Sequence, residues 1–290
     1  MKKNKLSAEA ALRFHIRPLY DRHRKLALLI SAKSACTTAV KWFFHHTGHL
    51  QAAEQFDRWI HQYRLRVYYK SDDYQQHLSE LLRKKYTIVK VVRNPYDRAV
   101  SSFIHGMKHN LESHQMRRAL SSKRLVRSTF FAKKHPPGRY TFREFIHYLE
   151  QFGVDEGNVH FRTQWHPLER YVAVNHLIRM TNLASGFREV ENRLGLAPTD
   201  MNRFSNSVHH THRSTQHDVH AMDKRFDLYR RNDTVVPAFS DFYDAELAAK
   251  VAKLYEIDFR TYGYDLSSKG WLGTDARRDS TRLDDHRRAA

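Results

Sequence analysis

The sequence contains a single cysteine, Cys36, among its 290 residues. One cysteine can form neither an intrachain disulfide nor a CxxC metal pair, and it fits a reducing compartment. No stretch approaches the roughly 20 apolar residues that a membrane-spanning helix needs. The basic residues 1–25 also lack the apolar segment of a signal peptide. We therefore expect a soluble, cytoplasmic protein.

Acidic residues are scarce relative to basic ones. The chain has 50 lysines and arginines against 31 aspartates and glutamates, which gives a formal net charge of +19. A protein this basic attracts polyanions at long range, whether nucleic acid, anionic lipid, anionic glycan or a phosphorylated cofactor. Charge alone does not choose among them, so a noncatalytic polyanion- or nucleic-acid-binding protein is one alternative.

Short apolar runs alternate with helical patterns along the chain. Residues 26–30 (LALLI) and 86–92 (YTIVKVV) are typical of strands buried on both faces, and residues 171–180 are a third strand candidate. Helical patterns follow these runs, which predicts an α/β fold with a P-loop-like parallel sheet flanked by helices.

The sequence pattern also predicts the domain organisation and several helices. We expect a basic segment at 1–25, a domain at 26–264 with a basic insertion at about 108–140, and a mobile charged tail at 265–290. The insertion either lines an acceptor cleft or is a solvated basic surface. Helices are predicted at residues 51–66, at 142–152 with Thr141 and Glu144 as a capping box, and at 237–255.

Residues 31–38 (SAKSACTT) form a polar turn between the first strand and its helix. Backbone N–H groups at such a helix start bind anions, and Lys33, Thr37 and Thr38 add a cation and hydroxyls. The turn has no glycine and its lysine precedes the hydroxyls, so it is not a Walker A loop, and a P-loop kinase is disfavoured as an alternative. A plain turn with an exposed lysine is the structural alternative.

A second anion site is predicted where the next buried strand ends. Arg93 stands at its carboxyl end, where open α/β sheets bind ligands, and Ser101 lies on the following helix. An arginine and a hydroxyl can hold one phosphate with defined geometry. Two anion sites on neighbouring strand ends suit a ligand phosphorylated at both ends.

Four segments resemble motifs of the carbohydrate sulfotransferase family. Residues 32–37 (AKSACT) are similar to P-K-V-A-C-T, and residues 93–103 (RNPYDRAVSSF) to R-D-P-F-E-R-L-V-S-A-Y. Residues 160–164 (HFRTQ) resemble H-W-R-P-Q, and residues 254–264 resemble a closing Y-x-x-D-F-x-x-F-G-Y. They occur in the family's order over nearly the whole chain.

The resemblance implies 3′-phosphoadenosine-5′-phosphosulfate (PAPS) as co-substrate and no metal. It assigns the 5′-phosphosulfate to Lys33 and to the positions that follow it, and the 3′-phosphate to Arg93 and Ser101. The remaining positions of that loop are Ser34, Ala35, Cys36, Thr37 and Thr38. Cys36 is expected to pack beneath the loop without covalent chemistry.

The sequence departs from the family pattern at several positions. Ala32 replaces proline and Asn94 replaces aspartate, and neither supplies the main charge. Thr181 stands where the family usually has glutamate. Residues 210–214 (HTHRS) resemble an H-x-N-x-S loop near the nucleotide, which adds Arg213 and Ser214 to the donor-binding candidates. The chain shows neither the membrane anchor nor the disulfides of animal members, so it resembles a soluble microbial relative.

The acceptor hydroxyl must lose its proton, and histidine is the natural general base. Among 21 histidines, His160 is favoured because it lies in a family-like segment, with Gln164 expected one helical turn later. His105 and His77 are alternatives, and Glu112 is a weaker one. A structural histidine is an equally good interpretation of His160.

The predicted activity is transfer of the PAPS sulfuryl group to a carbohydrate or other hydroxylated acceptor, anionic acceptors included. We expect no metal site, although His45 and His49 have a helical ligand spacing and histidines cluster at 209–212. No nucleic-acid partner is expected. The sequence does not indicate the oligomeric state.

Overall fold

A four-stranded sheet organises the computed structural model, which describes residues 6–109, 140–155, 158–205, 218, 220–226 and 235–267. The strands lie in the order β1 (Leu19–Asp21), β2 (Leu26–Leu29), β3 (Thr87–Val92) and β4 (His176–Arg179). β2, β3 and β4 run parallel, and β1 pairs with β2 antiparallel. This mostly parallel sheet with flanking helices confirms the predicted α/β class.

The edge strand β1 lies before residue 26, where the sequence pattern places the start of the domain. Leu19 pairs with Leu28 and Asp21 with Leu26, and Tyr20 is buried. A strand of three residues is too short to show a periodicity, so the pattern predicts none there. The sheet therefore begins inside the predicted basic segment, while the division into domains stays a prediction.

Helices connect and cover the strands. Their bounds are α1 Ala8–Leu12, α2 Cys36–His46, α3 Leu50–Phe56, α4 Ile60–Arg66, α5 Asp72–His77, α6 Glu80–Arg83, α7 Pro95–His109, α8 Phe142–Phe152, α9 Leu183–Leu194, α10 Asn202–Ser205, α11 Ala245–Leu254 and α12 Glu256–Tyr262. Short 3₁₀ turns lie at Tyr68–Lys70, Pro167–Arg170, Met180–Asn182, Ala221–Asp223 and Phe239–Phe242.

The single helix predicted at 51–66 is wrong. The structure has α3 and α4 instead, because the chain is extended at Asp57, the residue that caps the end of α3. The Asp57 carboxylate accepts a hydrogen bond from the Trp59 backbone N–H at 2.7 Å. Phe56 and Trp59, which flank this break, are 47% and 45% exposed.

The capping box predicted for α8 is confirmed. The Thr141 hydroxyl accepts from the Glu144 N–H, and the Glu144 carboxylate accepts from the Thr141 N–H. The helix predicted at 237–255 is only partly right, because the structure has a 3₁₀ turn at Phe239–Phe242 and starts α11 at Ala245 with Asp244 as its cap.

Two hydrophobic clusters stabilise the fold. One surrounds the sheet and includes Leu28, Trp42 and Phe187, and the last two rings stack at 4.4 Å. The other joins α7, α8 and α11 through residues that include Phe103 and Phe142. In the described part of the chain, no helix is both long enough and apolar enough to cross a membrane.

Lys90 is a charged residue in the middle of β3 with no exposed surface. Its ammonium group donates to the Gln164 carbonyl at 2.7 Å and forms an ion pair with the Glu169 carboxylate. The Tyr262 hydroxyl also donates to Glu169, at 3.0 Å. A buried lysine is tolerated when it is paired in this way. Lys90 thus ties the sheet to the segment around Gln164.

His166 is a buried histidine with a hydrogen bond at each ring nitrogen. Its Nε2–H donates to the Ile16 carbonyl at 3.0 Å, and its Nδ1 accepts from the Leu168 N–H at 3.1 Å. Burial, followed by the positive charge of Lys90, lowers the pKa of His166 from 6.5 to about 4. The folded protein therefore holds this ring in its neutral form.

Acidification should destabilise the protein through His166. The pKa of His166 is lower in the folded state than in the unfolded state. The neutral ring therefore contributes its full stabilisation of the fold above pH 6.5, and this stabilisation is lost as the pH falls towards 4. The loss is about 3 kcal/mol of unfolding free energy. Urea unfolding across this range should show a shallower pH dependence for His166→Asn than for wild type. His23→Asn, a matched change at an exposed histidine, should leave the slope of unfolding free energy against pH as in wild type. An unaltered slope in the His166 variant would contradict this prediction.

Candidate functional site

The loop between β2 and α2 has an unusual backbone. Lys33 and Ala35 have φ values of +67° and +53°, which side chains with a Cβ adopt at some cost. The Arg98 guanidinium holds the loop by donating from Nε to the Ala32 carbonyl at 2.9 Å. Ala32 and Ser34 are buried, while Lys33 is half-buried. The loop is therefore fixed by contacts rather than by glycine.

α2 begins directly after this loop, at Cys36. Among the described residues no side chain caps its start, and its first turn has no acidic residue. The N-terminus of a helix presents N–H groups and the positive end of its dipole. This arrangement fits an anionic group bound in the loop.

The side chains of the first turn of α2 have protein contacts. The Thr37 hydroxyl lies 3.3 Å from His61 Nε2, and the Cys36 Sγ lies 3.7 Å from the same atom. Thr38 donates to the Phe204 carbonyl at 3.4 Å. His61 is buried. The sequence does not predict it as a site residue, because nothing in the α4 pattern distinguishes it from the other polar residues.

Arg93 lies at the carboxyl end of β3, beside the end of β2, because the two strands are parallel neighbours. Its Nη1 donates to the Lys33 carbonyl at 3.2 Å, and its guanidinium lies 5.2 Å from the centre of the Phe239 ring. The structure therefore brings Lys33 and Arg93 together. Ser101 is half-buried on α7, the helix that begins two residues after Arg93.

The favoured histidine, His160, lies against the alternative His105. The rings of His105, on α7, and His160 have centroids 4.1 Å apart, and the Ser102 hydroxyl donates to the His160 carbonyl at 2.7 Å. His77 instead lies on α5, where its Nδ1 is 3.3 Å from Glu80 and its Nε2 is 3.7 Å from Asp73. The structure thus groups two of the three candidate histidines.

Asn158 determines the tautomer of neutral His160. Its Oδ1 accepts from the His160 backbone N–H at 3.0 Å and lies 2.7 Å from His160 Nδ1. A backbone N–H can only donate, so the atom facing both nitrogens is an oxygen. Nδ1 therefore carries the proton, and Nε2 is the proton-accepting atom of the neutral ring.

Gln164 does not lie one helical turn beyond His160, because residues 158–166 form turns and bends. Its side chain instead contacts both segments that the sequence predicts to bind anions. Oε1 accepts from the Ser34 hydroxyl at 2.7 Å and from the Arg93 N–H at 2.8 Å, while Nε2 donates to the Arg93 carbonyl at 2.8 Å. The resemblance marked this residue, but its contacts require the fold.

Asp258 supports the same segment from α12. Its carboxylate accepts from the Gln164 N–H at 2.8 Å and from the Trp165 N–H at 2.9 Å, and Asp258 has no exposed surface. Burial raises the pKa of Asp258 above its ordinary value, while Arg98 and these two N–H groups act in the opposite direction. The third and fourth family-like segments are therefore in direct contact.

Several predicted residues lie outside the described ranges. They are Glu112, Arg213 and Ser214, together with nearly all of the insertion at 108–140, the histidines at 209–212 and most of the tail at 265–290. Within the described residues, no group of three or more histidine, cysteine, aspartate or glutamate side chains could hold a metal ion.

The sequence model of the sulfotransferase family matches residues 19–265. This range contains β1 to β4, the loop at 31–38 and Arg93. No curated protein and no solved structure matches the chain. Members of the family are enzymes that typically use PAPS, which decides against the kinase and the noncatalytic alternatives. Because the match covers most of the chain, the protein belongs to the sulfotransferase family.

Proposed function

We propose that the protein transfers the sulfuryl group of PAPS to a hydroxyl of a carbohydrate by in-line displacement. The supporting observation is the meeting of the loop at Lys33 with Arg93, at the ends of two parallel strands. Two anion-binding segments at this spacing suit a nucleotide with phosphate groups at its 3′ and 5′ positions.

The donor-binding residues divide between these segments. The loop at 31–38 and the start of α2 hold the 5′-phosphosulfate through N–H groups, and Thr37 and Thr38 lie in the same first turn. Arg93 and Ser101 hold the 3′-phosphate. Arg213 and Ser214 stay predicted donor contacts.

Lys33 acts on the leaving group. Bound PAPS supplies the sulfuryl group and leaves as adenosine 3′,5′-bisphosphate. The Lys33 ammonium neutralises the charge that develops on the departing phosphate oxygen, the type of contact that contributes most to such reactions. Positioning of the donor by the loop supplies the remaining rate enhancement, as in phosphoryl transfer.

His160 accepts the proton of the acceptor hydroxyl at Nε2, the atom that its contact with Asn158 leaves unprotonated in the neutral ring. His160→Ala should lower kcat about 10²–10⁴-fold, the usual contribution of a general base, with little change in the KM for PAPS. Steady-state kinetics of this variant beside His105→Ala checks the assignment. A larger loss of kcat in the His105 variant would transfer the role to that residue.

The carbohydrate acceptor is tested by incubation with sulfur-35-labelled PAPS and a panel of neutral and anionic glycans. Label should enter at least one glycan, and the reaction should need no added metal. Label that enters only small non-sugar alcohols would refute the carbohydrate assignment but keep the donor. A role of the basic insertion in acceptor binding and a cytoplasmic location stay predictions.

A further inference from the structure

A single side-chain amide joins the donor loop to the end of β3. Gln164 contacts Ser34 through Oε1 and the backbone of Arg93 through both Oε1 and Nε2, at 2.7 to 2.8 Å. It is only 2% exposed. One residue therefore bridges the two segments that the proposed function assigns to opposite ends of the donor.

The orientation of this amide is fixed by chemistry. The Arg93 N–H can only donate and the Arg93 carbonyl can only accept, so Oε1 faces the first and Nε2 faces the second. The Ser34 hydroxyl must then donate to Oε1. No other arrangement satisfies all of these contacts.

The main chain of Gln164 is held on both sides. Its N–H donates to Asp258 at 2.8 Å, and its carbonyl accepts from Lys90 at 2.7 Å. Both partners have no exposed surface. A residue fixed through its own backbone can set the positions of the groups that its side chain contacts.

We propose that Gln164 is a positioning residue that sets the distance between the loop and the Arg93 site. This inference rests on the proposed function, because it assumes one phosphate group in each segment. Two other links, from the Arg93 guanidinium to the Lys33 carbonyl and from the Arg98 guanidinium to the Ala32 carbonyl, run through long side chains. Gln164 ties the Arg93 backbone itself to the loop, through the Ser34 hydroxyl.

The proposal predicts a selective loss of affinity. A nucleotide with both phosphates must bind across a preset distance, and it gains from sites that are already arranged. A nucleotide with only the 5′-phosphate contacts one segment and does not depend on their separation. Loss of Gln164 should therefore weaken adenosine 3′,5′-bisphosphate more than AMP.

The test is titration calorimetry of both nucleotides with wild type, Gln164→Leu and Thr163→Ala. Gln164→Leu keeps the side-chain size and should weaken the bisphosphate by about tenfold or more, with less than about a threefold loss for AMP. Thr163→Ala is the matched control, because the Thr163 hydroxyl bonds to Asp155 at 3.1 Å. It should change neither affinity.

Equal losses of affinity for both nucleotides would overturn the proposal, because Gln164 would then only support the loop. No loss of affinity for either nucleotide would also overturn it. If wild type bound AMP as tightly as the bisphosphate, the proposed 3′-phosphate site would be refuted. That result differs from the ones that overturn the role of Gln164, because it concerns the wild-type protein. If Gln164→Leu does not fold, the same titrations with Ser34→Ala test the proposal, because this substitution removes only the hydrogen bond between the loop and the Gln164 side chain. A selective loss for the bisphosphate supports the proposal, and equal losses or none contradict it.

Discussion

Lys33→Ala should lower kcat for sulfuryl transfer about 10²–10³-fold while the protein stays folded. The size follows from losing the cation that acts where negative charge develops. Lys33 is half-buried and lies outside both hydrophobic clusters, and Arg93 and Arg98 hold the loop through the Lys33 and Ala32 backbone carbonyls, which the substitution keeps. Transfer of sulfur-35 at saturating acceptor measures the loss, and circular dichroism verifies the fold.

Lys41→Ala provides the matched control. Lys41 lies on α2, the helix that follows the loop, and its loss changes the net charge by the same amount. Turnover of this variant should stay near wild type. If Lys33→Ala kept normal turnover, or if both variants lost activity equally, Lys33 would have no specific role in the reaction.

Asp258→Ala should lower the free energy of unfolding by about 3–5 kcal/mol, the usual cost of removing one partner from a buried charged network. The substitution leaves the Gln164 and Trp165 N–H groups without their acceptor and removes the nearby opposite charge from Arg98. Chemical unfolding at neutral pH measures the change. The bisphosphate should also bind more weakly, since Gln164 loses its support.

Glu256→Ala is the control for this variant. Glu256 lies on the same helix, α12, and its side chain is 63% exposed in an ion pair with Arg260. Exposed pairs of this kind contribute about 0–1 kcal/mol. An Asp258 variant no less stable than this control would show that the network has no structural importance.

Local signals in the sequence predicted much of the fold. The apolar run at 86–92 became β3, and the cap at Thr141 with Glu144 defines the start of α8 as expected. These features depend on a few neighbouring residues, so they can be identified without the fold. The positions of the loop at 31–38 and of Arg93 at the ends of neighbouring strands were also predictable, since each directly follows a buried strand.

Features that depend on distant contacts were not predictable. β1 is too short for a period and exists through its pairing with β2. The break at Asp57 replaces a helix that the apolar spacing favours. The contacts of His61 with Thr37 and of Gln164 with Ser34 join residues 24 and 130 positions apart in the chain, which no local pattern records.

The most direct test of the central claim, a donor site for a nucleotide phosphorylated at both ends, is a thermal-shift comparison of three ligands. Adenosine 3′,5′-bisphosphate should raise the Tm in a concentration-dependent way, because it binds only the folded protein. ATP and double-stranded DNA should raise it much less. Stabilisation by ATP or DNA that equals that by the bisphosphate, or no stabilisation by the bisphosphate, would contradict the account.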